Sequence, residues 1–326
     1  MAASAPLFSR LTPGRLPWTN RSGLAASVIP LIISVALAGC AMSPPSGGQG
    51  SAPYAPRVVR VVAGENVWGS IAAQIGGAHA AVTSIIASPQ TDPHAYEPTA
   101  ADARRLADAQ VAVLNGVGYD PWMNRLLAAD GGSRSVLDVG ELVGVPPGGN
   151  PHLWYDPGYV AQFSSAIANA MARVDPTDRA YFLGRQAHFD NVALAPYHDA
   201  IVRIRARYAG RPVGASESVV VYLCRALGLE LVTPPTFLRA VTQGTDVSAA
   251  DKVTIDAQIR NRAIDVYLEN VQNSTPDVQA QVAAARAAQI PVVAMTETLR
   301  PAGATFQAWQ TAQLRSLESA LESTHA

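Results

Sequence analysis

Two short stretches of this chain present histidine in a form suited to metal ligation. In Pro89-Gln90-Thr91-Asp92-Pro93-His94-Ala95-Tyr96-Glu97-Pro98, His94 is held between prolines. Asn150-Pro151-His152-Leu153-Trp154-Tyr155-Asp156-Pro157 repeats the design around His152. Proline fixes φ and restricts the residue before it, so both imidazoles should have little freedom to lose on binding an ion. The plainer reading is a pair of structural loops whose histidines bond only to backbone, and the recurrence of the motif weighs against it.

Carboxylates complete the chemistry. In open parallel sheets ligands bind beyond the carboxyl ends of the strands, and few polar residues stand just past a predicted strand here. His94 follows the second strand of the first half of the chain, and His152 follows its last. Glu217, in Ala215-Ser216-Glu217-Ser218, follows the first strand of the second half, and Glu297, in Met295-Thr296-Glu297-Thr298, follows the last. Two nitrogen and two oxygen donors from opposite halves make a site that closes only when the halves face each other. Taken singly, Glu217 could cap the next helix and Glu297 could be an exposed loop residue. Glu269, ending Val266-Tyr267-Leu268-Glu269, is expected to support the ligands from behind. His79, His188, His198 and His325 lack such context and are assigned to the surface or to helix faces. Cys224, on an apolar helical face, is read as a small buried residue.

The elements that must carry these residues follow from periodicity. From Arg57 onward, short β-branched runs alternate with stretches of helical period. Strands are predicted at 58–63, 81–87, 110–114, 135–139, 212–216, 229–233, 263–268 and 290–295. Thr99-Ala100-Ala101-Asp102 and Ser248-Ala249-Ala250-Asp251 have the form of capping boxes. Residues 178–208 read as one long helix, with a kink expected at Pro196. The fold class is therefore α/β: two lobes, each a mostly parallel sheet flanked by helices, joined by one long helix. The boundaries are 57–174 for the first lobe, 175–209 for the linking helix and 210–326 for the second lobe.

The first 56 residues are of another kind. Arg10, Arg15 and Arg21 precede an apolar run that ends in Leu37-Ala38-Gly39-Cys40, as in a secretory signal peptide over 1–39. Leu-Ala-Gly-Cys resembles a bacterial lipobox, which makes Cys40 the lipidated N-terminus of the mature protein. Residues 40–56, rich in Ser, Gly and Pro and free of charge until Arg57, read as a flexible tether. Lipid chains there would hold the protein, extracytoplasmic, on the outer face of the cytoplasmic membrane. With 326 residues, 48% of them hydrophobic, the chain can fill two cores. A net charge of −1 and 15% charged residues provide no basic field for nucleic acid.

Several motifs together resemble a known family. Asp92-Pro93-His94 with Tyr96-Glu97-Pro98-Thr99, Asn115-Gly116 with Trp122-Met123, Pro151-His152 with Trp154 and Asp156-Pro157, and Glu217 with Tyr222-Leu223 look like the solute-binding lipoproteins of manganese/zinc/iron ABC importers. The resemblance runs over nearly all of 57–321. It implies two lobes on a rigid helix, a divalent cation between them, delivery to a membrane permease, and no catalysis. A monomer is expected. His94 and His152 match the first two family ligands. Glu217 stands where zinc-specific members carry a third histidine and manganese-type members a glutamate. Glu297 stands where the family usually places an aspartate, a departure by one methylene. The His-rich loop of zinc-specific members is missing, since 128–149 contains no histidine.

Two neutral imidazoles and two carboxylates bring a charge of −2, enough to balance one divalent cation. Carboxylates that bind through both oxygens would raise the coordination number beyond four, which suits Mn2+ or Fe2+ better than tetrahedral Zn2+. Manganese is expected first, with iron or zinc as alternatives. A second reading, a secreted metalloenzyme of hydrolytic type, uses the same residues to hold a metal-activated water; a third is a surface-anchored adhesin or structural lipoprotein, compatible with metal binding.

Overall fold

The computed structural model describes residues 57–88, 90–91 and 96–324. The expectations for the signal peptide, Cys40, the tether, His94 and His325 fall outside these residues.

Among the described residues, eight strands form two four-stranded sheets. In the first lobe β1 (Val59–Glu65), β2 (Ala80–Ile86), β3 (Val111–Leu114) and β4 (Ser135–Asp138) lie in the order β2-β1-β3-β4. In the second, β5 (Pro212–Ala215), β6 (Glu230–Leu231), β7 (Val266–Asn270) and β8 (Val292–Met295) lie in the order β6-β5-β7-β8. Every neighbouring pair is parallel. With helices on both faces of the sheet, the central strand β3 is apolar throughout and all four of its residues are buried. Each sheet reverses its winding once, between β1 and β3 and between β5 and β7, and at such a reversal the strand ends open a crevice.

The helices of the first lobe are α1 (Asn66–Gly76), α2 (Ala100–Ala107), α3 (Pro121–Asp130), α4 (Val139–Val143) and α5 (Pro157–Val174). Thr99 and Asp102 close the predicted capping box on α2. The short α4 takes Val139 out of the predicted fourth strand, because the Asp138 carboxylate accepts the Glu141 backbone N–H at 3.0 Å and starts a helix there.

The linking segment is not one α-helix. It comprises α6 (Arg179–His188), a π turn over Phe189–Ala193 and α7 (Ala195–Tyr208). Pro196, expected to kink a continuous helix, lies in the first turn of α7. Proline lacks an N–H and its ring crowds the carbonyl four residues back, and the wider π turn ahead of it absorbs that misfit. Within the π turn the hydrogen-bond span widens, with Leu194 N donating to Phe189 O at 2.9 Å.

The second lobe adds α8 (Val221–Leu227), α9 (Pro235–Thr242), α10 (Ala249–Arg260), α11 (Pro276–Ala287) and α12 (Phe306–Ser323). The sequence gives no expectation of α9, because its start, Pro234-Pro235, reads as loop, although proline is well suited to a first helical turn. Only half of the second capping box forms. Ser248 Oγ accepts Asp251 N at 3.0 Å, while the Asp251 carboxylate takes the Thr236 hydroxyl instead.

One side chain fixes the His152 loop to the first lobe. Asn115, just past β3 and fully buried, accepts Trp68 Nε1–H at 3.0 Å and donates to Pro151 O at 2.9 Å. Its own N–H and that of Gly116 donate to Asp120 Oδ2 and Oδ1, at 2.7 and 2.9 Å. Gly116 sits at φ 72°, and a Cβ there would run into the Asp138 carboxylate, so only glycine fits the turn. Asn115→Ala should leave the Trp68 N–H and the Pro151 carbonyl buried without partners. Unfolding in urea should show a loss of about 2–4 kcal/mol, since each orphaned group costs about 1–3 kcal/mol.

Candidate metal centre

Among the described residues, one group of His, Cys, Asp or Glu side chains lies close enough to share an ion: His152, Glu217 and Glu297, with donor atoms all within 4.8 Å of one another. His152 Nε2 is 3.8 Å from Glu217 Oε1 and 3.7 Å from Glu297 Oε2. The three side chains are 0%, 0% and 1% exposed. Each stands beyond a strand or at the start of a short turn: His152 before the 3-10 turn Leu153–Tyr155, Glu217 just past β5, and Glu297 two residues past β8.

The histidine tautomer follows from its neighbour. Asn150 donates through Nδ2 to Ser218 O at 2.8 Å, which turns its Oδ1 toward His152. That oxygen accepts both His152 N–H, at 3.0 Å, and the Nδ1 side of the ring, at 2.8 Å. Nδ1 therefore carries the proton in the neutral ring, and Nε2 presents its lone pair to the side where the carboxylates stand. A buried ligand histidine held in this way binds through Nε2.

The acids are held by neutral donors. Asn270, the last residue of β7, donates through Nδ2 to Glu217 Oε1 at 2.7 Å and to Glu297 Oε1 at 2.6 Å. Asn273 Nδ2 donates to Glu217 Oε2 at 2.7 Å, and the Tyr119 hydroxyl to Glu297 Oε2 at 2.6 Å. Gln272 Oε1 accepts the backbone N–H groups of Glu297 and Thr298 at 2.8 and 3.1 Å, fixing the loop. Glu217 makes no capping bond to the turn after it, and Glu297 is not an exposed loop residue. Burial first, and then the charge of Glu297, pushes the Glu217 carboxyl above its ordinary range, with His152 and the two asparagines pulling the other way. Burial, followed by the Glu297 charge, also raises Tyr119 well above 10, so its hydroxyl stays a donor. An incoming dication would relieve the charge that these donors only soften.

Glu269 is not brought to this cluster. Successive strand residues point to opposite faces, and while Asn270 faces the acids, the Glu269 carboxylate lies 3.9 Å from Arg286 Nη2. The supporting role falls to Asn270, Asn273, Tyr119 and Gln272, which no motif marked. Cys224 is buried, and burial lifts its thiol to about 12. His79 stacks on Tyr181 and bonds Asp178 at 2.6 Å, away from the site. A cavity of about 700 Å3 adjoins the cluster, with Tyr119, Asn150, Ser218 and Asn273 in its wall.

A second acid pair sits at the other sheet's reversal. Glu65, ending β1, and Asp120 are each 1% exposed. Burial, and then the charge of Asp120, holds the Glu65 carboxyl well above its usual range. Burial raises Asp120 to about 6, against the pull of the Asn115 and Gly116 N–H groups. The folded protein thus keeps protons that the unfolded chain has already released. These acids therefore cost stability as pH rises from the ordinary carboxylate range through about 6. Glu65→Gln, a neutral isostere, should flatten that decline: melting temperatures of metal-free protein from about pH 5 to 8 should fall less steeply than in the parent chain.

Comparison with known proteins places the chain in a family and a fold. Residues 61–320 match the family described as Zinc-uptake complex component A periplasmic. The chain is 24% identical over 217 residues to the manganese-binding lipoprotein MntA of Halalkalibacterium halodurans, spanning 63% of this chain and 68% of that one. It is 26% identical over 194 residues to the zinc-binding protein TroA of Treponema pallidum, spanning 56% and 61%. Among solved structures, FpvC of Pseudomonas aeruginosa in complex with Ni2+ superposes with a TM-score of 0.67 at 22% identity, over 82% of this chain and 98% of that one. Treponema pallidum TroA gives 0.67 at 20% identity, over 81% and 99%. At these identities the superpositions show a shared fold.

Proposed function

The chain belongs to the family described as Zinc-uptake complex component A periplasmic, metal-binding solute-binding proteins of ABC importers, and from that premise we propose that it captures one divalent transition-metal ion with His94, His152, Glu217 and Glu297 and delivers it to a membrane permease. The observation that carries the reading is the convergence of His152, Glu217 and Glu297, buried and within 4.8 Å, from three segments far apart in sequence. His94 joins them through its match to the family motif Asp92-Pro93-His94. Family members are binding components, not enzymes, and neither the metalloenzyme nor the adhesin reading finds support there.

Capture needs an ion to exchange its water for these donors. Nε2 of a neutral histidine and two carboxylates already fixed by hydrogen bonds offer that exchange with little reorganisation. Its relatives include proteins named for binding manganese, zinc and iron. Our assignment for this chain is manganese first, iron or zinc second. It rests on two carboxylates that can each bind through both oxygens, and on glutamate rather than histidine at 217. Lipidation of Cys40 would place the monomeric protein on the outer face of the cytoplasmic membrane. No described helix is long and apolar enough to cross a membrane.

Two measurements test the site. His152→Ala, and likewise His94→Ala, should weaken manganese binding about a hundredfold or more, on the order of 3 kcal/mol by titration calorimetry; unchanged affinity would remove the residue from the site. Glu217→His should move preference toward zinc, so competition between Mn2+ and Zn2+ should show at least about a tenfold shift in the affinity ratio.

A further inference from the structure

Tyr119 reaches from the first lobe to a ligand carried by the second, and it bonds the oxygen on which an ion would draw. We propose that its hydroxyl is a built-in competitor of the cargo, holding that oxygen while no ion is bound and so weakening capture in favour of release. The inference rests on the metal-capturing function above and adds an affinity-setting residue that is not itself a ligand.

The two oxygens of Glu297 are not equivalent. Oε2 stands 3.7 Å from His152 Nε2, on the side where an ion would sit, whereas Oε1 accepts Asn270. The Tyr119 hydroxyl donates to Oε2, at 2.6 Å. Its ring also lies edge-on to the imidazole, with centroids 6.2 Å apart and planes at 71°. One side chain therefore packs beside both donors. Tyr119 is 2% exposed, so bulk water has little access to take over its bond.

The backbone is strained to place that hydroxyl. Gly116, Val117 and Gly118 all have positive φ, at 72°, 58° and 84°. A β-branched residue in that region is a rare exception, of a kind that clusters at functional sites. Val117 is kept there by burial, and a Cβ on Gly140 would come within 2.6 Å of its Cγ2, so glycine is needed opposite it. Tyr119 N then donates to Gly116 O at 3.0 Å and closes the turn.

Without an ion, Glu297 shares its buried site with Glu217, and a hydroxyl bonded to an uncompensated carboxylate contributes more than one bonded to a neutral acceptor. A bound dication compensates the carboxylate and draws on the same oxygen, which weakens the bond. The hydroxyl therefore stabilises the ion-free protein more than the loaded one, and by linkage it lowers affinity. The difference in strength corresponds to a factor of about ten. A carrier must also give up its cargo, and a donor ready to take over Oε2 makes that easier.

The test is Tyr119→Phe, which removes the hydroxyl and keeps the ring. Mn2+ affinity is measured by calorimetry on the full chain, release by stopped-flow mixing of loaded protein with excess EDTA, and thermal melts are taken with and without Mn2+. The variant should bind Mn2+ about three- to tenfold more tightly and release it more slowly. Its melting temperature should fall more without the ion than with it. Should Tyr119→Phe fail to fold in both states, Val117→Gly, which frees the turn and keeps the hydroxyl, takes its place and should shift affinity in the same direction. A gain below about threefold, no change or a loss of affinity would show that Tyr119 only supports Glu297; it would overturn the inference and leave the capture function standing. A parent chain that binds neither Mn2+ nor Zn2+ would overturn the proposed function as well, so the two failures are distinguishable.

Discussion

Two carboxylates are buried side by side, and the rest of the site is arranged to make that tolerable. Buried like charges are unfavourable unless hydrogen bonds or a counter-charge compensate them. Each of the four oxygens of Glu217 and Glu297 accepts a hydrogen bond from a neutral donor. Asparagine and tyrosine soften the repulsion without cancelling the charge. The pair remains short of positive charge, which a divalent ion would supply. Lysine or arginine in the same places would have satisfied the acids permanently and left nothing for an ion to do.

The two sheets have the same strand order, and both put their chemistry at the point where the winding reverses. In the second lobe Glu217 follows β5 and Asn270 ends β7, the two strands that flank the reversal. In the first lobe the equivalent strands end at Glu65 and lead into Asn115, which holds the His152 loop. Asn150 joins the halves: its side chain orients His152 and donates to Ser218 O, while its carbonyl accepts the Tyr222 hydroxyl. The imidazole is thus oriented by groups that span both lobes.

Much of this was legible in the sequence. Eight strands and the long helices follow from the change of period between β-branched and amphipathic runs, and His152, Glu217 and Glu297 stand out because each follows a strand. The rest was hidden for definite reasons. The predicted seventh strand stops at 268, whereas β7 runs to Asn270; Glu269 therefore looked like a residue beyond the strand end, when it lies inside the strand and faces away. Pleating gives adjacent residues opposite faces, so an error of two residues at a strand end exchanges the supporting residue for its neighbour. Tyr119 follows an Asn-Gly-Val-Gly turn and carries no periodicity of its own. Glu65 ends an otherwise apolar run, where nothing distinguishes a buried acid from the start of a solvated loop.

The π turn at Phe189–Ala193 has a geometric consequence for the whole molecule. A residue added to a helix rotates everything after it by about 100° around the axis. Ahead of the turn, α6 packs on α5 of the first lobe; after it, α7 buries Tyr197, Ile201, Ile204 and Tyr208 against the second. The angular setting of one half of the molecule relative to the other is therefore written as a residue count in the connecting rod. Removing or adding one residue there would swing the acid-bearing wall out of line with the imidazole it faces.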